Sequence, residues 1–154
     1  MIRLANESDV DVIYDLNTEL FKVMSEIEES IYNPYGMPKS IILSAINSPK
    51  MDYILCEDDD KVIGYVLLEK ASTPSDKIES FKENDYAMID EIVVLPEYRM
   101  KGYGKLLMEE ATKWAKKNNL TSLELHVLSH NYNAIAFYES EGFEEFQRRM
   151  RKDV

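Results

Sequence analysis

A single cysteine, Cys56, among 154 residues rules out an internal disulfide, and with only two histidines it makes too small a set for the usual zinc sites. It lies in the apolar run Tyr53-Ile54-Leu55-Cys56 and so reads as a core residue, not a nucleophile. No apolar run approaches the roughly 20 residues that cross a bilayer. Residues 1–7 lack the apolar centre of a signal peptide, so a cytoplasmic protein without membrane contact is expected. Cations are also scarce: 18 lysines and arginines face 29 carboxylates, for a net charge of −11, which argues against gripping a nucleic-acid backbone. Such a surface favours solubility and also attracts amines.

What is present is a globular composition, 45% hydrophobic and 31% charged, at a length suited to one domain over residues 1–154. Ile2, Arg3 and Leu4 read as a short strand. Asn6, Ser8 or Asp9 then caps a helix with Val10, Ile13, Leu16, Leu20 and Val23 on one face, running to about residue 31. Pro34, Gly36 and Pro38 mark a loop, and a second helix is expected over residues 39–47. Residues 53–57 and 61–70 flank the turn Asp58-Asp59-Asp60 as an antiparallel hairpin, with Gly64 marking a bulge or a close backbone approach. Residues 71–85 read as an exposed excursion.

A strand resumes at Tyr86 and runs through Ile92-Val93-Val94 into a glycine-bearing loop, and a helix follows over residues 105–117. Alternation predicts a strand over 123–127; a short helix over 131–140, followed by Gly142, and one or two closing strands within 143–151 complete the reading. The element order, with hairpins before a strand-helix-strand crossover, implies an α/β or α+β fold around a mixed sheet.

The loop Arg99-Met100-Lys101-Gly102-Tyr103-Gly104 precedes a helix start, where free backbone N–H groups and the helix dipole suit a phosphate. It is neither a dinucleotide fingerprint, lacking a third glycine or alanine near Leu107, nor a Walker loop, lacking Gly-Lys-Ser/Thr. In context, Pro96-x-Tyr98-Arg99-x-x-Gly102-x-Gly104, the strand ending Leu125-His126-Val127, and Asn131-x-x-Ala134-Ile135-x-x-Tyr138-x-x-x-Gly142-Phe143 closely resemble the GCN5-related N-acetyltransferase (GNAT) superfamily. The element order is similar over residues 2–151, and the specific motifs occupy residues 88–143.

The resemblance implies a single-domain, mostly antiparallel twisted sheet with splayed central parallel strands and helices on both faces. It also implies acetyl-coenzyme A as cosubstrate, with no metal. The coenzyme would lie where the strand ending at Val94 parts from the strand ending at Val127. The backbone of Ile92, Val93 and Val94 would meet the pantetheine arm, and residues Arg99, Met100, Lys101, Gly102, Tyr103, Gly104 and Lys105 the pyrophosphate. Asn131 would hold the pantetheine region. Direct acetyl transfer to a primary amine of a small molecule or peptide would then use Tyr138 as general acid and the Val94 amide as oxyanion donor.

His126 is a candidate base, because histidine ordinarily titrates near neutrality, and Asp90 and Glu91 are its rivals. Strand alternation sends these two carboxylates to opposite faces. Glu28, Tyr32 and Tyr35, with Glu29, are candidates for an acceptor pocket. A homodimer along the final strands is an expectation by analogy. A second reading, from another class, is a non-catalytic acyl-coenzyme A sensor or protein-interaction module on the same fold.

Overall fold

The computed structural model describes residues 1–73 and 79–154. The chain enters as β1 (Ile2–Leu4) and turns through a 3-10 segment, Glu7–Asp9, where Asn6 and Asp9 cap each other's backbone. Helix α1 (Val10–Ile27) follows and buries Ile13, Leu16 and Asn17. It ends four residues sooner than the periodicity predicts. Glu28 leaves helical geometry and its carboxylate takes the Ser30 hydroxyl and amide, an alternative to further helix. Helix α2 (Lys39–Ile46) starts directly after Pro38 and buries Ile42 and Ala45.

Five strands form one sheet in sequence order: β1, β2 (Met51–Asp58), β3 (Lys61–Ser72), β4 (Asp85–Val94) and β5 (Leu123–Leu125). Every pairing is antiparallel except β4 with β5, which is parallel. Helix α3 (Tyr103–Lys117) forms the crossover between those two, and α4 (Tyr132–Ser140) follows β5. The mixed sheet with helices on both faces is the expected architecture.

The core has two layers because the sheet is covered twice. On one face α1 and α2 press Ile13, Leu16, Ile42 and Ala45 onto Tyr53, Leu55, Tyr65, Leu67 and Val93. On the other, α3 presses Leu107, Met108, Ala111 and Trp114 onto Ile54, Cys56, Val66, Leu68, Ala87 and Ile89. Cys56 is thus a core residue, and burial pushes its thiol pKa up. The Arg3 guanidinium joins β1 to Asp9 at 2.8 Å and to Glu57 at 2.7 Å.

Three further expectations about elements change. The excursion over 71–85 is narrower, since β3 continues to Ser72, β4 begins at Asp85, and the Thr73 amide donates to the Asn84 carbonyl; residues 74–78 lie outside the described residues. Strand β5 stops at Leu125, leaving His126 and Val127 beyond the ladder. No strand forms within residues 143–151. Phe143 packs beside Tyr138 with ring centroids 5.9 Å apart, but Phe146 and Met150 are 74% and 87% exposed. A segment whose apolar side chains find nothing to bury against within its own chain gains nothing from strand geometry.

Candidate active site

Strand β4 carries the local irregularity on which the site depends. Leu67 pairs with Glu91 and Leu68 with Ile89, so Asp90 is an extra residue, a β-bulge. Before it, Ala87 and Ile89 face α3; after it, Val93 faces α1 and α2, and Glu91 reaches Asn17 of α1. The expectation that Asp90 and Glu91 diverge to opposite faces therefore does not hold. Burial pushes the pKa of the Tyr53 phenol up, and the charges of Glu91 and Asp90 add to the rise.

The sheet parts beyond this bulge. Strands β4 and β5 pair only through Ala87, Met88 and Ile89, opposite Leu123, Glu124 and Leu125, and β4 then continues for five residues without a neighbour on that side. The Leu95 amide donates to the Ile63 carbonyl at 2.9 Å. Because backbone groups alternate in an antiparallel ladder, those of Val93 also turn toward β3, while those of Ile92 and Val94 turn into the gap. Of the three residues expected to offer free backbone, two do so. The Val94 carbonyl accepts from Arg99 Nε at 3.0 Å, so the Arg99 side chain folds back onto the strand end.

At the mouth of the parting, Pro96–Tyr98 makes one 3-10 turn and residues 99–102 lead into α3. Met100 and Gly102 both adopt positive φ, 59° and 89°. No side chain caps α3 at Gly102, so its first amides stay open at the positive end of the dipole. A Cβ built at Gly102 meets nothing within 4 Å, whereas one at Gly104 lies 3.3 Å from the Phe137 ring, which ties α3 to α4. Gly102 therefore serves the backbone hand and Gly104 the packing. Lys101 stacks over Tyr98 at 5.3 Å, as does Lys61; Tyr103 lies edge-on to the Tyr98 ring, and Lys105 is exposed.

Asn131 caps α4, its carbonyl oxygen accepting from the Ala134 amide at 3.3 Å, and its NH2 group has no partner among the described residues. Tyr138, one helical face along, is partly buried against the α3 core, and burial alone pushes its phenol pKa up. It lines a cavity of about 1160 Å³ together with Leu125, His126 and Ile135. His126 itself is exposed.

The two carboxylates differ in surroundings. Asp90 is exposed as a residue, yet partial desolvation and the nearby Glu69 and Glu91 push its pKa up to about 6. Glu91 accepts from the Tyr65 hydroxyl at 2.6 Å and from Asn17 Nδ2 at 2.9 Å, while the Asn17 carbonyl oxygen accepts from the Met37 amide at 2.6 Å. Burial raises the Glu91 pKa and these two donors partly offset it. Asn17 and Tyr65, both fully buried, are site-adjacent residues that sequence reasoning passed over. The signal was there: a polar residue on the apolar Ile13, Leu16, Leu20 face of α1.

Of the proposed acceptor residues, Glu28 and Tyr32 meet through the backbone, the Tyr32 amide donating to the Glu28 carbonyl at 3.2 Å. Glu28 is taken by Ser30 and lies 3.5 Å from Arg151, Tyr32 meets Phe21 edge-on at 6.0 Å, and Tyr35 is 72% exposed. Neither described cavity includes any of the three.

A mixed sheet that parts between two parallel strands, with an uncapped helix start at the mouth of the parting, defines an α/β protein with a cleft inside its sheet. Residues 12–143 match the model of the Acetyltransferase (GNAT) family, and the chain belongs to that family. It is 28% identical over 144 residues to an uncharacterized N-acetyltransferase of Methanocaldococcus jannaschii, covering 94% of this chain and 60% of that protein. An uncharacterized N-acetyltransferase of Archaeoglobus fulgidus is 28% identical over 140 residues, covering 91% and 90%. Among solved structures, a mutant of a Bacillus halodurans protein, BH1408, superposes with a TM-score of 0.93 at 22% identity over 100% of this chain and 99% of that one. An aminoglycoside N-acetyltransferase in complex with CoA does so at 0.72 and 16% identity, over 100% and 93%.

Proposed function

We propose that this protein transfers the acetyl group of acetyl-coenzyme A directly to a primary amine of a small molecule or peptide. The observation that carries the reading is the parting of β4 from β5 beside the uncapped α3. The residues present fit the coenzyme: the open amides at the start of α3 suit a pyrophosphate, and the outward peptides of Ile92 and Val94 suit an amide-bearing arm. The solved aminoglycoside enzyme with CoA is of the same fold.

When bound, acetyl-coenzyme A supplies the activated acyl group. In this reading the Val94 amide donates to the carbonyl oxygen, and Tyr138, kept protonated by burial, holds the proton for the departing sulfur. Asn131 holds the coenzyme with its free NH2 group. An alkylammonium is only about 0.04% neutral at pH 7, so a base must take its proton. Asp90, with its pKa near 6, fits that task, and Glu91, which accepts both of its hydrogen bonds on Oε2 and none on Oε1, stays its rival. His126 is the remaining candidate.

Thiol release measured with polyamines, aminoglycosides, amino acids and peptides is the test, and turnover with at least one amine class is expected. Tight coenzyme binding without turnover across the panel would instead support the acyl-coenzyme A sensor. A cytoplasmic location is part of the same proposal; no helix among the described residues is long and apolar enough to cross a membrane.

A further inference from the structure

On the face of the sheet that α1 and α2 cover, Tyr53 of β2, Leu67 of β3 and Glu91 of β4 stand directly across from one another. Tyr53 and Leu67 belong to the core layer beneath the two helices, and Glu91 reaches Asn17 of α1 on the same side. Side chains two apart on a strand share a face, so Glu69 lies there as well, diagonal to both Tyr53 and Glu91. Diagonal neighbours of this kind stand about 7–8 Å apart. Asp90 fills the bulge beside Glu91, where partial burial and then the charges of Glu69 and Glu91 raise its pKa.

Tyr53 is the member of this set that the fold leaves unsatisfied. The residue is only 4% exposed and its ring packs edge-on against Tyr65 with centroids 5.2 Å apart, yet its hydroxyl has no hydrogen-bond partner among the described residues. None of the described side-chain oxygens or nitrogens that are cut off from solvent lacks a partner, so the hydroxyl is the part of Tyr53 that reaches the surface. Burial raises its pKa and the charges of Glu91 and Asp90 raise it further, which places the phenol within their field. A hydroxyl in such a position ordinarily finds a partner. The carboxylates around it lack one too: Glu91 accepts both of its hydrogen bonds on Oε2 and none on Oε1, and no described cation acts on Asp90 or Glu91.

Three carboxylates and an open phenol without a cation among them suit positive charge brought from outside. They are too dispersed for one metal ion, since among the described residues no three His, Cys, Asp or Glu side chains gather closely enough to hold one. Charge carried at two ends of one molecule meets them better. Resting on the acetyl-transfer reading, we propose that the acceptor carries two ammonium groups: the one to be acetylated lies at Asp90 and Glu91, and the second is held by the Tyr53 hydroxyl and the Glu69 carboxylate. The phenol oxygen accepts from the second ammonium, and Glu69 supplies the opposite charge.

Pentane-1,5-diamine and pentylamine differ by that second ammonium alone. Calorimetry on the full chain, with and without coenzyme A, is expected to give about tenfold tighter binding of the diamine, the scale of one hydrogen bond to a charged group. In thiol-release assays its KM should be lower by a similar factor, with kcat alike for the two amines. Tyr53→Phe keeps the ring and its packing on Tyr65, and Glu69→Gln keeps the side-chain volume. Each should erase most of the preference by raising KM for the diamine, with circular dichroism like that of wild type. Equal affinity of wild type for the two amines overturns the proposal, and so does a preference that survives both substitutions. Diamine-selective binding without thiol release would uphold the site and remove the acetyl-transfer reading. Thiol release with no preference for the diamine would do the reverse.

Discussion

Tyr138 and Asp90 owe their chemistry to opposite accidents of placement. Tyr138 sits among Phe137, Phe143 and the α3 core, so its phenol keeps its proton across the neutral range. Tyr138→Phe should therefore lower turnover by about 100-fold or more, the usual scale of a general acid, with coenzyme affinity within about twofold of wild type. Steady-state rates and calorimetry together check this; equal turnover removes Tyr138 from the acid role. Asp90 occupies the bulge, where its charge is disfavoured by partial burial and by two neighbouring carboxylates. A base must be ionised to act, so the rate should fall as pH drops below about 6, and Asp90→Asn should abolish that limb. A limb that persists in Asp90→Asn but vanishes in His126→Ala would move the role to His126, just past the end of β5. Gly102 also gains a sharper account: its neighbourhood is open, and the left-handed backbone, not crowding, is what a larger residue there would disturb.

At the scale of elements, Asn17 joins three of them through one side chain. It bonds to Glu91 of β4 and to Tyr65 of β3, and it holds the Met37 amide that leads into α2. Asn17→Ala leaves a buried carboxylate with one donor fewer and an unpaired amide, at a cost of about 1–3 kcal/mol. Urea unfolding of the variant should show a lowered midpoint with an unchanged slope. Such ties are hard to read from sequence because the partners stand 48 and 74 residues away from Asn17. The motif strand, glycine loop and crossover helix were legible, since each follows from local spacing. The bulge left only an indirect trace, two adjacent carboxylates in an apolar run. The closing strands are expected only as the completion of the sheet, and a place at the sheet edge does not by itself supply the packing that a strand needs.

For the whole molecule, two groups of carboxylates set opposing dependences of stability on pH. Asp9, hydrogen-bonded to Arg3 and to the Asn6 amide, has its pKa lowered below 3.8. Its contribution is present above that value and is lost as pH falls through the native pKa. Glu91 and Asp90 have raised native pKa values, so the folded protein binds more protons than the unfolded chain above their ordinary range. Their share of stability is largest in acid and declines as pH rises through the native values. Urea midpoints recorded against pH should therefore fall above about pH 4.5 in wild type, and fall less steeply in Glu91→Gln, which still accepts from Tyr65 and Asn17. Identical slopes for the two proteins would show that Glu91 titrates normally.

The extra residue in β4 has a wider consequence. It acts as a change of parity: up to Ile89 the odd-numbered side chains face α3, and from Glu91 onward the odd-numbered ones face α1. The peptides obey the same switch, so the ones that look toward β5 pass from Ala87 to Ile92 and Val94. Removing Asp90 alone would return the strand to a single count. Glu91, then next to Ile89, would still face α1, and Val94 would still turn its amide into the gap. A shortening at the bulge would thus remove a carboxylate and leave both cores in register, whereas a shortening by one residue beyond it, at Ile92, would turn Val93 to the α3 side and the Val94 amide to β3.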